Sequence, residues 1–385
     1  MAQFHWRIPI HGDKGDLSTG YTRGTWSQGK PGNIGPTFTD APNWNTHTTY
    51  HDYMLNQARA AEINGFDGVL VPSFPDSEDP WVISSSLARH TKTLRFMIAY
   101  QPMWFDPLYA ARASASLQRL SGGRLLFNII TGAGGPQQLW WGDRIAHDDR
   151  YTRTTEFLDV LKGVWNGKPF SYDGKFFKFD NAILPEPLAN QVFPELYFVG
   201  SSDAALAAQG KHADYDLTHL EPVANLIKKF NRVHELASKD GRSVKPAVRF
   251  NIIARKTPEE AWAVVRRAWG RLDWDAVEAK KSNRGDAVGS WRNKVDRNTK
   301  VEDLIVEELW GGFGTLGSQG SPLGFVGSYE QAAALIDKYL DIGVRGFIFA
   351  STPMLEEAFH VGEEVLPLVR GRQKLHSTST RVQVA

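Results

Sequence analysis

The sequence predicts an α/β protein whose eight parallel strands close into a single (β/α)8 barrel carrying insertions. Three observations predict it. Short apolar runs of strand length recur eight times, each separated from the next by a helix-length segment with apolar residues at helical spacing. The 385 residues, 42% of them hydrophobic, are enough to bury the core of one barrel. Two irregular stretches, 14–46 and 273–326, fall where such a barrel carries long loops.

In chain order, FHWRIPI at 4–10 reads as the first strand and is followed by the Gly-, Pro-, Thr- and Asn-rich loop 14–46. A helix beginning near Thr46 to Thr49, with apolar positions Tyr53, Met54, Ala58, Ala61 and Ile63, stops at Gly65 and leads to the strand DGVLVP at 67–72. A helix from Pro80, strand 94–100, helix 107–120, strand 124–131 and helix 151–166 continue the alternation. FSYDGKFFKF at 170–179 reads as a β excursion turned at Asp173-Gly174. Strand 195–200, helix 203–211, strand 214–219, helix 222–238, strand 247–254 and helix 257–270 follow. The polar, Gly-rich stretch 273–326 is a candidate lid, after which helix 328–342, strand 345–350 and helix 355–364 complete the eighth unit. The domain therefore spans 1–370, with 371–385 as a tail.

Composition narrows the function. Lys+Arg 44 against Asp+Glu 43 leaves a net charge of +1 and no basic field for nucleic acid. Without cysteine there is no disulfide, no Cys-ligated metal and no thiol nucleophile. No apolar run reaches the roughly 20 residues of a membrane span, and MAQFHWRIPI lacks a signal-peptide core, so a soluble cytoplasmic protein is expected. The 13 Trp suit a pocket for a planar ligand and suit ordinary core packing as well.

A barrel carries its site at the C-terminal ends of its strands, which singles out His11, Ser73, Gln101, Thr131, Ser201, His219, Asn251 and Ser351. Gly200-Ser201-Ser202, running into a helix at Asp203, has the form of an anion site at a positive helix terminus, and equally that of a plain N-cap. His147 to Tyr151 supplies cationic and phenolic donors in the loop after the fourth strand, or is a solvated loop with capping carboxylates. Asn128, Thr131 and Gly132 place amide, hydroxyl and bare backbone at a strand mouth. Gly312 to Gly317 matches G-x-G-x-x-G, but no strand precedes it and it is not a dinucleotide fingerprint. His47 and His51 lack a third ligand, so no metal site is expected. There is neither a nucleophile elbow nor a P-loop.

Taken together, His11-Gly12-Asp13, Glu78-Asp79-x-Trp81, Leu120-Ser-Gly-Gly-Arg124 through Asn128-Ile-Ile-Thr131-Gly132, Arg150-Tyr151 with Glu156-Phe157, Tyr197-Phe-x-Gly200-Ser201-Ser202-Asp203 and Leu355-Glu-Glu-Ala358 resemble the bacterial luciferase-like flavin monooxygenases. The nearest branch is the alkanesulfonate monooxygenases, and the resemblance spans nearly the whole chain. It implies a TIM barrel with insertions, reduced FMN (FMNH2) delivered by a separate NAD(P)H:flavin reductase, and a homodimer or homotetramer. It implies that O2 is activated as a flavin C4a-(hydro)peroxide to oxygenate a small organic substrate. Ser201, Ser202 and Tyr151 would hold the FMN phosphate, with Gly200 and His147 beside them, and Ser77, Asn128 and Thr131 would lie near the ring or ribityl chain.

Substrate is where the chain departs from that branch. The family's Trp, His, mobile-loop Arg and Tyr-Pro-His run align with His219, Asn251, a Gly-rich loop near Gly317, and Thr352-Pro353-Met354, leaving Arg249 of the sulfonate-binding group. Arg292 or Arg297 could substitute, and Trp26, Phe38 and Trp44 in the enlarged loop could cap a larger substrate or form an oligomer contact. His11 and His219 are the expected acid–base or hydrogen-bonding groups, Arg249 the anion stabiliser, and Asn251 completes the catalytic set. A deazaflavin-dependent oxidoreductase on the same barrel, a non-catalytic flavin-binding protein and a metal-dependent hydrolase are the competing readings.

Overall fold

A computed structural model describes residues 1–8, 50–74, 77–132, 136–275, 277–278, 295–316, 322–351 and 354–373. His11, the 14–46 loop with Trp26, Phe38 and Trp44, and Arg292, Gly317, Thr352 and Pro353 lie outside the described residues.

In chain order the elements are β1 (Gln3–Arg7), α1 (Tyr50–Ile63), β2 (Gly68–Val71), α2 (Pro80–Arg89), β3 (Arg95–Tyr100), α3 (Pro107–Ser121), β4 (Leu125–Ile130), α4 (Pro136–Trp140) and α5 (His147–Val164). Then come β5 (Phe170–Asp173), β6 (Lys178–Ala182), β7 (Leu196–Val199), α6 (Asp203–His212), β8 (Tyr215–His219), α7 (Val223–Ser238), β9 (Lys245–Arg255) and α8 (Pro258–Trp269). The chain ends with β10 (Ile305–Val306), β11 (Leu309–Trp310), β12 (Gly324–Ser328), α9 (Tyr329–Asp341), β13 (Gly346–Ala350) and α10 (Met354–Phe359). The strands expected from sequence are β1, β2, β3, β4, β7, β8, β9 and β13. They pair in that order, and β13 returns to β1 in parallel register, Gln3 opposite Gly346 and Trp6 opposite Phe349, closing the (β/α)8 barrel.

Helix starts follow local chemistry. The Asp79 carboxylate accepts from the N–H groups of Trp81 and Val82, and Asp106 accepts from those of Leu108 and Tyr109. In both, proline follows the cap, where its missing N–H costs nothing. Ser202 caps α6, and Ser328 forms a reciprocal capping box with Gln331 at the start of α9.

The described chain forms two compact units, Met1–Asp67 with His219–Leu226 and Val248–Ala385, and Gly68–Thr218 with Ile227–Ala247. In the second unit Ile98, Tyr100, Phe127, Ile129 and Phe198 pack outward against Ala111, Ala115, Phe157 and Leu161 of α3 and α5. By strand alternation Asn128 and Tyr197 take the opposite face, where Tyr197 stacks on Tyr215 with ring centres 4.2 Å apart. In the first unit Phe4, Phe347 and Phe349 stack on one another.

Sequence and structure part at two insertions. Residues 170–182 form a hairpin, but its connection runs through residues 174–177, the N–H of Gly174 donating to the carbonyl of Phe177 at 2.9 Å, in place of the tight Asp173-Gly174 turn expected. A Cβ on Gly174 would lie 2.4 Å from Glu156 Oε2, so this glycine serves a close approach and not a turn. Within 273–326, β10 and β11 pair antiparallel, and β12 adds in parallel to β9. Trp310 is 1% exposed, its indole N–H donating to the carbonyl of Val301, amid Val265, Trp269 and Phe313. Strands of two residues are too short to show a period in sequence.

Candidate functional site

The site expected at the end of β7 is built from backbone outward. Gln209, one turn from the end of α6, donates its amide N–H groups to the carbonyls of Phe198 and Gly200, each at 3.1 Å. In a trans peptide the N–H points opposite to the carbonyl, so this anchor turns the N–H of Ser201 away from α6. Ser202 Oγ accepts from the N–H of Ala205 at 3.2 Å and starts a helix whose positive end faces the same loop. A Cβ on Gly200 would sit 2.4 Å from the Ala205 Cβ and 3.1 Å from the Tyr151 hydroxyl, so only glycine leaves this cradle open.

Helix α5 delivers the facing groups. The Tyr151 hydroxyl faces the Gly200 backbone, 3.1 Å from where a Cβ on that residue would sit, and burial is the main cause of its raised pKa, which keeps the phenol protonated as a donor. His147 is exposed in the first turn, Nδ1 2.7 Å from Asp148 Oδ1, its ring edge-on to Tyr151 at 5.2 Å. One turn on from Tyr151, the Thr154 hydroxyl meets that of Thr131, at the end of β4, at 3.3 Å. Asn128, 1% exposed, holds its Oδ1 buried without a hydrogen-bond partner among the described residues. A loop at a positive helix end, the Tyr151 hydroxyl facing it and an unmatched buried amide fit the phosphate and the polar body of a flavin mononucleotide.

Not every expected residue joins them. Ser77 closes its own turn, its hydroxyl accepting from the N–H of Phe74 at 3.2 Å and donating to that residue's carbonyl at 3.0 Å. Ser201 stays with the loop, exposed between Gly200 and the Ser202 cap. His219, Arg249 and Asn251 belong to the other unit. His219 is exposed at the end of β8, and the following residue, Leu220, donates its N–H to the carbonyl of Arg249 at 3.0 Å. Burial lowers the Arg249 pKa to about 10, which leaves it a cation at neutral pH. Asn251 is fully buried in mid-strand, its carbonyl 2.3 Å from where a Cβ on Gly324 would sit. Met354, aligned with the substrate-binding run, is buried and its carbonyl accepts the Trp6 indole N–H at 3.0 Å.

Sequence reasoning missed Thr154, Gln209 and the ties that hold the start of α5. Arg153 forms a bidentate pair with the buried Asp143, holding that carboxyl below its usual range against the opposing effect of burial, and Arg150 donates to Gln138. The signal available was spacing: Arg150, Tyr151, Arg153 and Thr154 occupy neighbouring turns of one helix. Among the described residues no group of His, Asp and Glu side chains is arranged to hold a metal ion, and no helix is long and apolar enough to cross a membrane.

A family model described as luciferase-like monooxygenase matches residues 36–346. Among solved structures, the chain is similar to a riboflavin lyase determined with modified FMN and riboflavin, at 18% identity over 97% of this chain and 92% of that one, TM-score 0.72. It is similar to an EDTA monooxygenase from Chelativorans sp. BNC1, at 21% identity over 97% and 94% of the two chains, TM-score 0.67. An F420-dependent secondary alcohol dehydrogenase matches at 20% identity over 83% and 95%, TM-score 0.60.

Proposed function

The chain belongs to the luciferase-like monooxygenase family, and from that premise we propose that it is an FMNH2-dependent two-component monooxygenase near the alkanesulfonate branch. The observation that carries the choice of cofactor is the Gly200 cradle, with the Tyr151 hydroxyl beside it and Ser202 capping the helix that follows. Those groups suit a phosphate monoester: protonated donors, a positive helix end and no side chain in the way. Ser201, Ser202 and Tyr151 hold the phosphate, and Asn128 and Thr131 meet the ribityl chain or ring.

Reduced FMN, when bound, supplies the two electrons with which one oxygen atom of O2 enters the substrate and the other leaves as water. The protein contributes binding, orientation and proton handling. His219 and Arg249 offer a proton-exchanging imidazole and a cation for the developing negative charge; His11 joins them on sequence grounds alone. The electrons come from a separate NAD(P)H:flavin reductase, and the working form is a cytoplasmic homodimer or homotetramer. Losing most of the sulfonate-binding group makes a simple alkanesulfonate a poor fit, so sulfones, alkanes and heteroaromatics belong in the substrate screen beside sulfonates.

Anaerobic titration tests the reading. The protein binds FMNH2 more tightly than FMN, and consumes a substrate only with a reductase and O2 present. Failure to bind FMNH2, or turnover under strict anoxia with a reduced deazaflavin, overturns it.

A further inference from the structure

The β5–β6 hairpin breaks the barrel rhythm and reads from sequence as an appendage. Its contacts fall along one face of α5, at Asp149, Glu156, Asp159 and Gly163, positions that recur at helical spacing. Lys175 Nζ lies 2.6 Å from Asp149. The Glu156 carboxylate accepts three backbone N–H groups of the hairpin turn, those of Lys175 at 2.8 Å, Phe176 at 2.8 Å and Phe177 at 3.2 Å. The Tyr172 hydroxyl donates to Asp159 at 3.2 Å, and the Phe170 ring lies 2.5 Å from where a Cβ on Gly163 would be. The roughly opposite face of the same helix carries Tyr151 and Thr154, which reach the Gly200 backbone and Thr131.

We infer that Glu156, through the hairpin it anchors, is a positioning residue for the flavin phosphate, an inference that rests on the phosphate site proposed above. The start of α5 is held by Arg153 on Asp143, and a helix held at one place can still roll about its axis. Its Cα atoms lie about 2.3 Å from that axis, and a tyrosine hydroxyl lies much farther out, so a small roll displaces the hydroxyl several times more than the backbone. Three N–H groups on one carboxylate give the helix a directional second anchor. Glu156 is 7% exposed and touches no part of the phosphate cradle, so its effect reaches the ligand through the orientation of Tyr151.

The test compares reduced FMN with reduced riboflavin, titrated anaerobically into the full chain. Glu156→Gln keeps one acceptor oxygen but turns an N–H₂ toward the hairpin's own N–H groups. The expected result is a loss of about tenfold in FMN affinity with riboflavin affinity unchanged. Lys175→Ala, at an exposed position, shifts the same ratio in the same direction by about twofold, and decides the matter should Glu156→Gln yield no folded protein. A loss shared equally by the two flavins, or an unchanged ratio in the folded variants, overturns the positioning role. A wild-type protein that does not prefer FMN to riboflavin overturns the phosphate site itself, before any variant is considered.

Discussion

Tyr151→Phe is the sharpest probe of the phosphate site, because it removes one oxygen from a side chain only 9% exposed and leaves its packing in place. In the protein alone the hydroxyl borders the Gly200 backbone, and losing its polar contact there costs about 1 kcal/mol net. Ser202 keeps its cap on the N–H of Ala205, so α6 retains its start and the melting temperature falls by only a few degrees. With phosphate bound, the same hydroxyl donates to a charged group, worth about 1.5–3 kcal/mol, or about 10- to 150-fold in Kd. Riboflavin has no phosphate and its affinity stays put. Calorimetric or fluorescence titration with both flavins reads the difference directly. Equal losses for FMN and riboflavin, or an unchanged FMN affinity, would refute the reasoning, because either shows that the hydroxyl does not reach the phosphate.

Two further outcomes follow from groups outside the site. Arg124 donates to the carbonyls of Ser121 at 2.7 Å, Leu94 at 3.0 Å and Ala88 at 2.7 Å and to the Thr91 hydroxyl at 2.9 Å, joining α2, α3 and the approach to β3. Lysine cannot span that fork, so Arg124→Lys lowers stability by about 2–4 kcal/mol, seen as a lower urea midpoint with an unchanged slope. His212 and Asp216 oppose each other with pH. Burial, helped by Lys162, Lys211 and Arg242, lowers the His212 pKa to about 2, while burial raises that of Asp216 to about 7 against the pull of Lys229. Between about pH 4 and 6.5 the unfolded chain holds the extra proton at His212, so that residue makes stability rise with pH; at Asp216 the folded chain holds it, so stability falls with pH. Unfolding titrations should show Asp216→Asn with a stability that rises more steeply with pH than wild type, and His212→Gln with one that falls, each by about 1 kcal/mol per pH unit.

Much of the fold was legible because its signals are local. The strands at 67–72, 94–100 and 124–131 are consecutive apolar residues, and Asp79-Pro80 and Asp106-Pro107 announce helix starts through groups two or three residues apart. Gly200-Ser201-Ser202 running into Asp203 was legible as a helix start for the same reason, and Ser202 caps α6. What could not be read is whatever depends on residues far apart in the chain. Asp173-Gly174 has the composition of a tight turn, yet the glycine yields its space to Glu156, a residue of the helix that precedes the hairpin. Trp310 looks like part of a polar insertion until α8 supplies the walls that bury it.

Sequence alone thus determined the alternation of strands and helices and their caps, since each follows from the backbone preferences and periodicity of neighbouring residues. Tertiary structure decided that Tyr151 faces the Gly200 backbone, that Gln209 orients the β7 exit, and that Glu156 ties the hairpin to α5. These are contacts between separate elements, and their geometry exists only once hydrophobic burial has packed those elements together.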